Sequence, residues 1–231
     1  MTVQSPPLEA AQAEAAPPHL KMTYEEFLAW ALKQEGHFEW VNGEVIAYMS
    51  ASPLHQEVVV FLSGLLRFFV DLLGLGRVYA GPAQMKLPNG PGREPDVFFI
   101  ATDHLSRVIE NRIDGPADLA IEVVSDDSVT TDREDKFYEY EAAGIPEYWI
   151  VDPRPNRRRA YFYRLDEHGR YQPALTNAEG IYHSRVLPGF WLKVDWLWQA
   201  AEMNTTALLM EILGPERYVT LAQDAWAKTR K

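Results

Sequence analysis

The 231-residue chain contains no cysteine. Disulfides, zinc–thiolate sites, iron–sulfur clusters and cysteine nucleophiles are therefore excluded, and any metal has to be held mainly by oxygen or histidine. Basic residues are also scarce, with 22 Lys and Arg against 33 Asp and Glu and a formal net charge of −11. An excess of that sign repels a polyanion unless basic residues are focused locally, which counts against a general nucleic-acid binder. Long apolar runs are missing as well. The most apolar stretch, 58–73, is interrupted by Ser63, Arg67 and Asp71, well short of the roughly 18 uninterrupted residues of a membrane span. Residues 1–20 have no basic start, no continuous apolar stretch and no arginine. No secretory or mitochondrial-type presequence is read there, and the cytoplasm is the expected location.

What is present suits a single domain with appendages, since 47% of the residues are hydrophobic and can bury a sizeable core. The Ala-, Pro- and Glu-rich opening 1–20 has too little bulky apolar content to offset its ordering entropy and is expected to be a disordered tail. Thr23 with Glu26 fits a capping box for a short helix to about residue 33, ended by Gly36. Asn42-Gly43 at the middle of 38–47 predicts two strands joined by a tight turn. Pro53 suits the start of a long helix through 73 that is apolar around most of its circumference, so it is either deeply buried or shared with a partner chain. A homodimer is expected on that basis. Segments 95–100, 119–124 and 148–151 read as buried strands. Between the last two, 132–143 has a helical pattern capped by Asp132 and stopped by Gly144, giving a strand–helix–strand crossover. Alternation at 159–165 and 181–186 predicts a further antiparallel hairpin, and helix returns around 207–213 in an extension spanning 199–231. The fold class is α/β, a mixed sheet flanked by helices within 21–198.

Two carboxylates fall inside these apolar strands: Asp96 after Pro95, and Glu122 in the run 119–124. An ionised carboxylate in a buried strand is costly unless a cation or a donor compensates it, and two on neighbouring strands imply a shared cation. Hard oxygen ligands without cysteine point to Mg²⁺ or Mn²⁺. On the crossover helix Asp132, Lys136 and Tyr140 recur every four residues and share a face that can look back at Glu122. An ammonium beside a metal-bound phosphate can orient water and offset developing charge. A structural salt bridge between Glu122 and Lys136 is the plainer alternative, and it predicts the same contact without catalysis.

Glu44, Pro95-Asp96 and Glu122 within a strand resemble the PD-(D/E)XK nuclease superfamily. Residues 116–125, Asp132-Arg133 with Lys136, Tyr140, residues 143–149 and Val151-Asp152-Pro153 together resemble the Uma-type restriction endonucleases of bacteria, over 23–197. The resemblance implies a restriction-endonuclease-like fold and metal-dependent hydrolysis of DNA. It also implies Asp96 and Glu122 as metal ligands, the Val123 carbonyl as a third candidate ligand, and Lys136 as the charged catalytic group. The superfamily lysine normally follows the strand carboxylate by two residues, where this chain has Val124; in the Uma-type branch the lysine sits on the following helix, as Lys136 does. Glu44 would then be an outer or second-metal carboxylate, although a residue beside a turn is more often a solvated one. His55 is expected either to line the cleft or to take a helix-capping or core role, and Tyr140 either to support the site or to pack on the sheet. Arg154, Arg157, Arg158 and Arg159 form the one concentrated basic patch, which suits phosphate contact or a solvated hairpin tip. Trp191, Trp196 and Trp198 alternate with apolar residues and read as core or interface rather than base-stacking groups. Two other classes remain open: a catalytically silent scaffold or binding protein, and a hydrolase of a smaller phosphorylated substrate, for which the net acidity is no handicap.

Overall fold

Local signals set the first elements. Thr23 and Glu26 cap each other, the Thr23 amide donating to Glu26 at 2.8 Å, and open α1 (Tyr24–Ala31). Asn42 and Gly43, at φ 52° and 93°, turn β1 (His37–Val41) into β2 (Glu44–Tyr48). Ser52 caps α2 (Pro53–Leu73), which closes on Gly74 at φ 64°. There follow β3 (Gly76–Ala80), β4 (Met85–Lys86), β5 (Gly92–Arg93), β6 (Val97–Ala101), a 3₁₀ turn, β7 (Ile113–Asp114) and β8 (Leu119–Val123). Then come α3 (Lys136–Ala143), β9 (Glu147–Asp152), β10 (Arg159–Leu165), β11 (Tyr171–Pro173), β12 (Ile181–His183) and β13 (Trp191–Lys193). The chain continues through α4 (Val194–Leu197), α5 (Thr205–Leu213) and α6 (Pro215–Lys228). This computed structural model describes residues 20–34, 36–48, 51–125, 134–228 and 230. The expected tail, apart from Leu20, and the expected cap Asp132 with Arg133 lie outside the described residues.

β8 and β9 are buried at every position, so they need cover on both faces. They pair in parallel at the centre of a six-stranded mixed sheet in the order β11-β10-β9-β8-β6-β3. Alternation divides the side chains. Val97, Phe99, Leu119, Ile121 and Val123 face α2, whereas Phe98, Ile100, Ala120 and Val124 pack with Tyr140 of α3. A second sheet, ordered β2-β1-β5-β4-β7, carries α1. No described helix is long and apolar enough to cross a membrane.

One expectation needs adjusting. Segments 159–165 and 181–186 do not pair with each other: β10 is flanked by β9 and β11, and β12 pairs with β13. Both edges of β10 are already occupied by neighbours nearer in sequence, so the later strand closes on its own local partner. The apolar circumference of α2 is covered largely from within the chain. Trp196, Leu197, Leu208, Leu209, Ile212 and Leu213 join its residues in one core, with Trp191 and Trp198 partly buried against it. Val60 and Phe68 of α2 remain 67% and 55% exposed.

Candidate active site

Register brings the two strand carboxylates together. β6 and β8 run antiparallel with Val97 opposite Ile121, so continuing the ladder by one residue sets Asp96, which immediately precedes β6, across from Glu122 on the same face. The Asp96 carboxylate accepts the Val123 amide at 2.7 Å, and His55 Nε2 of α2 stands 3.3 Å from the same oxygen. In an extended strand one residue's N–H and C=O point to the same side, so the Val123 carbonyl also faces the Asp96 edge.

Glu122 is only 2% exposed. Its Oε1 accepts from the Tyr140 hydroxyl at 2.7 Å and its Oε2 lies 2.9 Å from Lys136 Nζ. Burial, and then the carboxylates of Glu122 and Glu39, push the Tyr140 hydroxyl well above its ordinary range, so it stays protonated and donates. Lys136 and Tyr140 are four residues apart on α3, one helical turn that aims both at one strand residue. Asp96, Glu122, Lys136, Tyr140, His55 and the Val123 backbone thus share one end of the sheet.

Sequence reasoning missed a further layer. Lys136 Nζ is also 3.3 Å from Oε1 of Glu39, a β1 residue 2% exposed. Glu39 accepts from Arg93 Nη1 at 2.7 Å and from the Glu94 amide at 3.0 Å. The rest of the Arg93 guanidinium forks onto Glu139 of α3 at 2.7 and 2.8 Å. Burial alone would raise the Glu39 carboxyl, but Lys136 and Arg93 outweigh it and hold the group below the usual carboxylate range. A carboxylate between Phe38 and Trp40 in an apolar strand is the same signal that singled out Glu122, and it went unread. Arg93, in a turn-like Gly-Arg-Glu-Pro stretch, offers no comparable sign. Glu44 sits at the start of β2, 40% exposed at its side chain, with Lys21 Nζ at 3.1 Å. Glu39, five residues earlier, is the hairpin carboxylate that touches Lys136.

Glu94 lines the back of this network. Burial pushes its carboxyl up to about 7, against the pull of the Gln84 amide that donates to it at 2.8 Å. A folded value above the ordinary 4.5 favours the native state most fully below pH 4.5, and that contribution is lost as pH rises through about 7. Glu94→Gln is therefore expected to flatten the stability profile between pH 5 and 8. The gap between variant and wild type should shift in the variant's favour at pH 8 by up to about 3 kcal/mol, read by urea unfolding at both pH values.

At the tip between β9 and β10, Arg154 forks onto Asp152 at 2.8 Å through both Nε and Nη2, and is mostly buried. Arg157, Arg158 and Arg159 are exposed. Since Val123 pairs with Val151 and Asp152 with Arg159, this tip projects from the sheet end that carries Glu122.

Among the described residues no group of three or more carboxylate or imidazole side chains closes into a metal cage. The donor chemistry nevertheless fits Mg²⁺, which is usually held by one or two carboxylates with water and substrate phosphate completing its shell. Asp96 and Glu122 supply two hard carboxylates on facing strand positions.

A solved structure from Anabaena variabilis ATCC 29413, described as a "putative nuclease belonging to DUF820", shares this fold with a TM-score of 0.62 at 15% identity, over 75% of this chain and 98% of that one. Nothing among curated proteins matches. The profile of the Uma2 family, described as "Putative restriction endonuclease", matches residues 24–195, which take in α1, both larger sheets and every side chain of the site. With most of its length matched, the chain belongs to the Uma2 family of restriction-endonuclease-like proteins.

Proposed function

We infer that the chain hydrolyses phosphodiester bonds of DNA at Asp96, Glu122 and Lys136, with Mg²⁺ or Mn²⁺ held by the two carboxylates and the Val123 carbonyl. The observation that carries this reading is the meeting of two carboxylates at the sheet end: strand register sets Asp96 across from the buried Glu122 on the same face, with the Val123 amide on Asp96 at 2.7 Å and Lys136 Nζ 2.9 Å from Glu122. A divalent cation compensates two carboxylates on facing strand positions, and Mg²⁺ is usually held by one or two carboxylates with water and phosphate.

When bound, the ion supplies Lewis-acid polarisation of the phosphoryl group and lowers the pKa of water. The chain's own residues do the positioning. Tyr140 fixes one Glu122 oxygen, while His55 and the Val123 amide fix Asp96. Lys136, within reach of both Glu122 and Glu39, keeps its ammonium at the same sheet end, where it orients the attacking water and steadies charge developing on phosphorus oxygens. Arg157, Arg158 and Arg159 supply a local positive field at the same sheet end, countering the repulsion that the overall −11 charge exerts on DNA. Glu44 is kept as an outer carboxylate only in a supporting role.

The test uses purified protein with plasmid and with single-stranded DNA in Mg²⁺ or Mn²⁺, beside Asp96→Ala. Metal-dependent nicking that the variant loses is the expected result. Equal nicking by both proteins would expose a contaminant, and no nicking under either metal would favour a silent scaffold. A cytoplasmic homodimer using Val60 and Phe68 of α2 completes the reading; a light-scattering mass near the single-chain 26.4 kDa would reject the dimer.

A further inference from the structure

The Lys136 ammonium stands between two buried carboxylates that are built differently. Glu39, 3.3 Å away, is held rigidly: Arg93 and the Glu94 amide bond its two oxygens, and Arg93 is itself locked by the fork onto Glu139. Glu122, 2.9 Å away, is steadied by Tyr140 at Oε1, and Lys136 occupies its Oε2. A cation drawn to Asp96 and Glu122 has to compete with the ammonium for Oε2. An ammonium displaced into a buried space without another carboxylate would be uncompensated, which opposes the exchange. Glu39 removes that obstacle, because its Oε1 already lies within reach of the same Nζ.

We propose that Glu39 is a positioning residue that takes over Lys136 when a divalent ion binds at Asp96 and Glu122, so that ion binding and the place of the lysine are coupled. The inference rests on the metal-centre reading above. In the exchange Lys136 passes from Glu122, where it neutralises a ligand, to Glu39, where it is held beside the ion. Its ammonium is then available to water or phosphate instead of being spent on the ligand. Arg93 matters here because it keeps Glu39 from following the lysine.

The test is a Mn²⁺ titration of the full chain, with free ion read by electron paramagnetic resonance, on wild type, Lys136→Met, Glu39→Gln and the double variant. Changes of about tenfold are the expected scale for a partner of a metal ligand. Lys136→Met is expected to tighten Mn²⁺ binding by about that factor, and Glu39→Gln to weaken it similarly. In the Lys136→Met background, Glu39→Gln should change affinity by less than about twofold, since Glu39 acts through the lysine. If Glu39→Gln weakens binding equally in both backgrounds, Glu39 acts by its own charge and the proposal is overturned. Wild type that binds no Mn²⁺ at millimolar concentration would instead overturn the metal-centre reading itself. Circular dichroism checks each variant for folding, and Lys136→Gln, neutral but polar, replaces Lys136→Met if the latter unfolds.

Discussion

Arg93→Ala is expected to destabilise the chain by about 3–5 kcal/mol, the cost of breaking a buried ion pair from one side. Arg93 is 2% exposed and joins Glu39 of β1 to Glu139 of α3. Its removal takes a donor from the buried Glu39 and takes from Glu139 the fork that ties α3 to the smaller sheet. Arg93→Lys should recover only part of the loss, because an ammonium cannot donate in two directions with the geometry of a guanidinium. Urea unfolding at constant m-value measures both. A loss below about 1 kcal/mol for Arg93→Ala would show that water takes over these carboxylates and that the network behaves like a surface pair.

Lys136→Ala is expected to lower metal-dependent cleavage by about 10²–10³-fold, the scale on which a preorganised group facing developing charge contributes. The comparison that gives this number meaning is Tyr140→Phe. That substitution removes a donor from Glu122 but keeps the ammonium, so it should reduce cleavage far less. If the two variants lost activity equally, the role of Lys136 would reduce to holding Glu122 in place. Since Lys136 also neutralises Glu39 and Glu122, the assay has to run at a temperature where circular dichroism shows the variant folded.

Legibility in the sequence followed the range of each interaction. The turn at Asn42-Gly43, the cap at Thr23 and the start of α2 at Pro53 rest on contacts within four residues or on a single residue's φ preference, so a short window contains the whole cause. The buried strands were legible for a related reason, since a continuous apolar run needs cover on both faces whatever supplies it. Asp96 and Glu122 stood out against those runs. Val123 and Asp96 are 27 positions apart, yet strand register makes their contact a consequence of two adjacent strands.

The elements, the apolar faces and the carboxylates out of place among them are local properties of composition and spacing, and so could be read from the chain alone. The partners were set by the packed fold. It set β12 against β13 and not β10, turned the C-terminal helices onto α2, and placed Glu39 rather than Glu44 against Lys136. It also drove Arg93, 54 positions from Glu39 and 46 from Glu139, between two carboxylates. Such choices depend on which edges and charges remain unsatisfied once the nearer pairs have formed, and that remainder is a property of the packed chain.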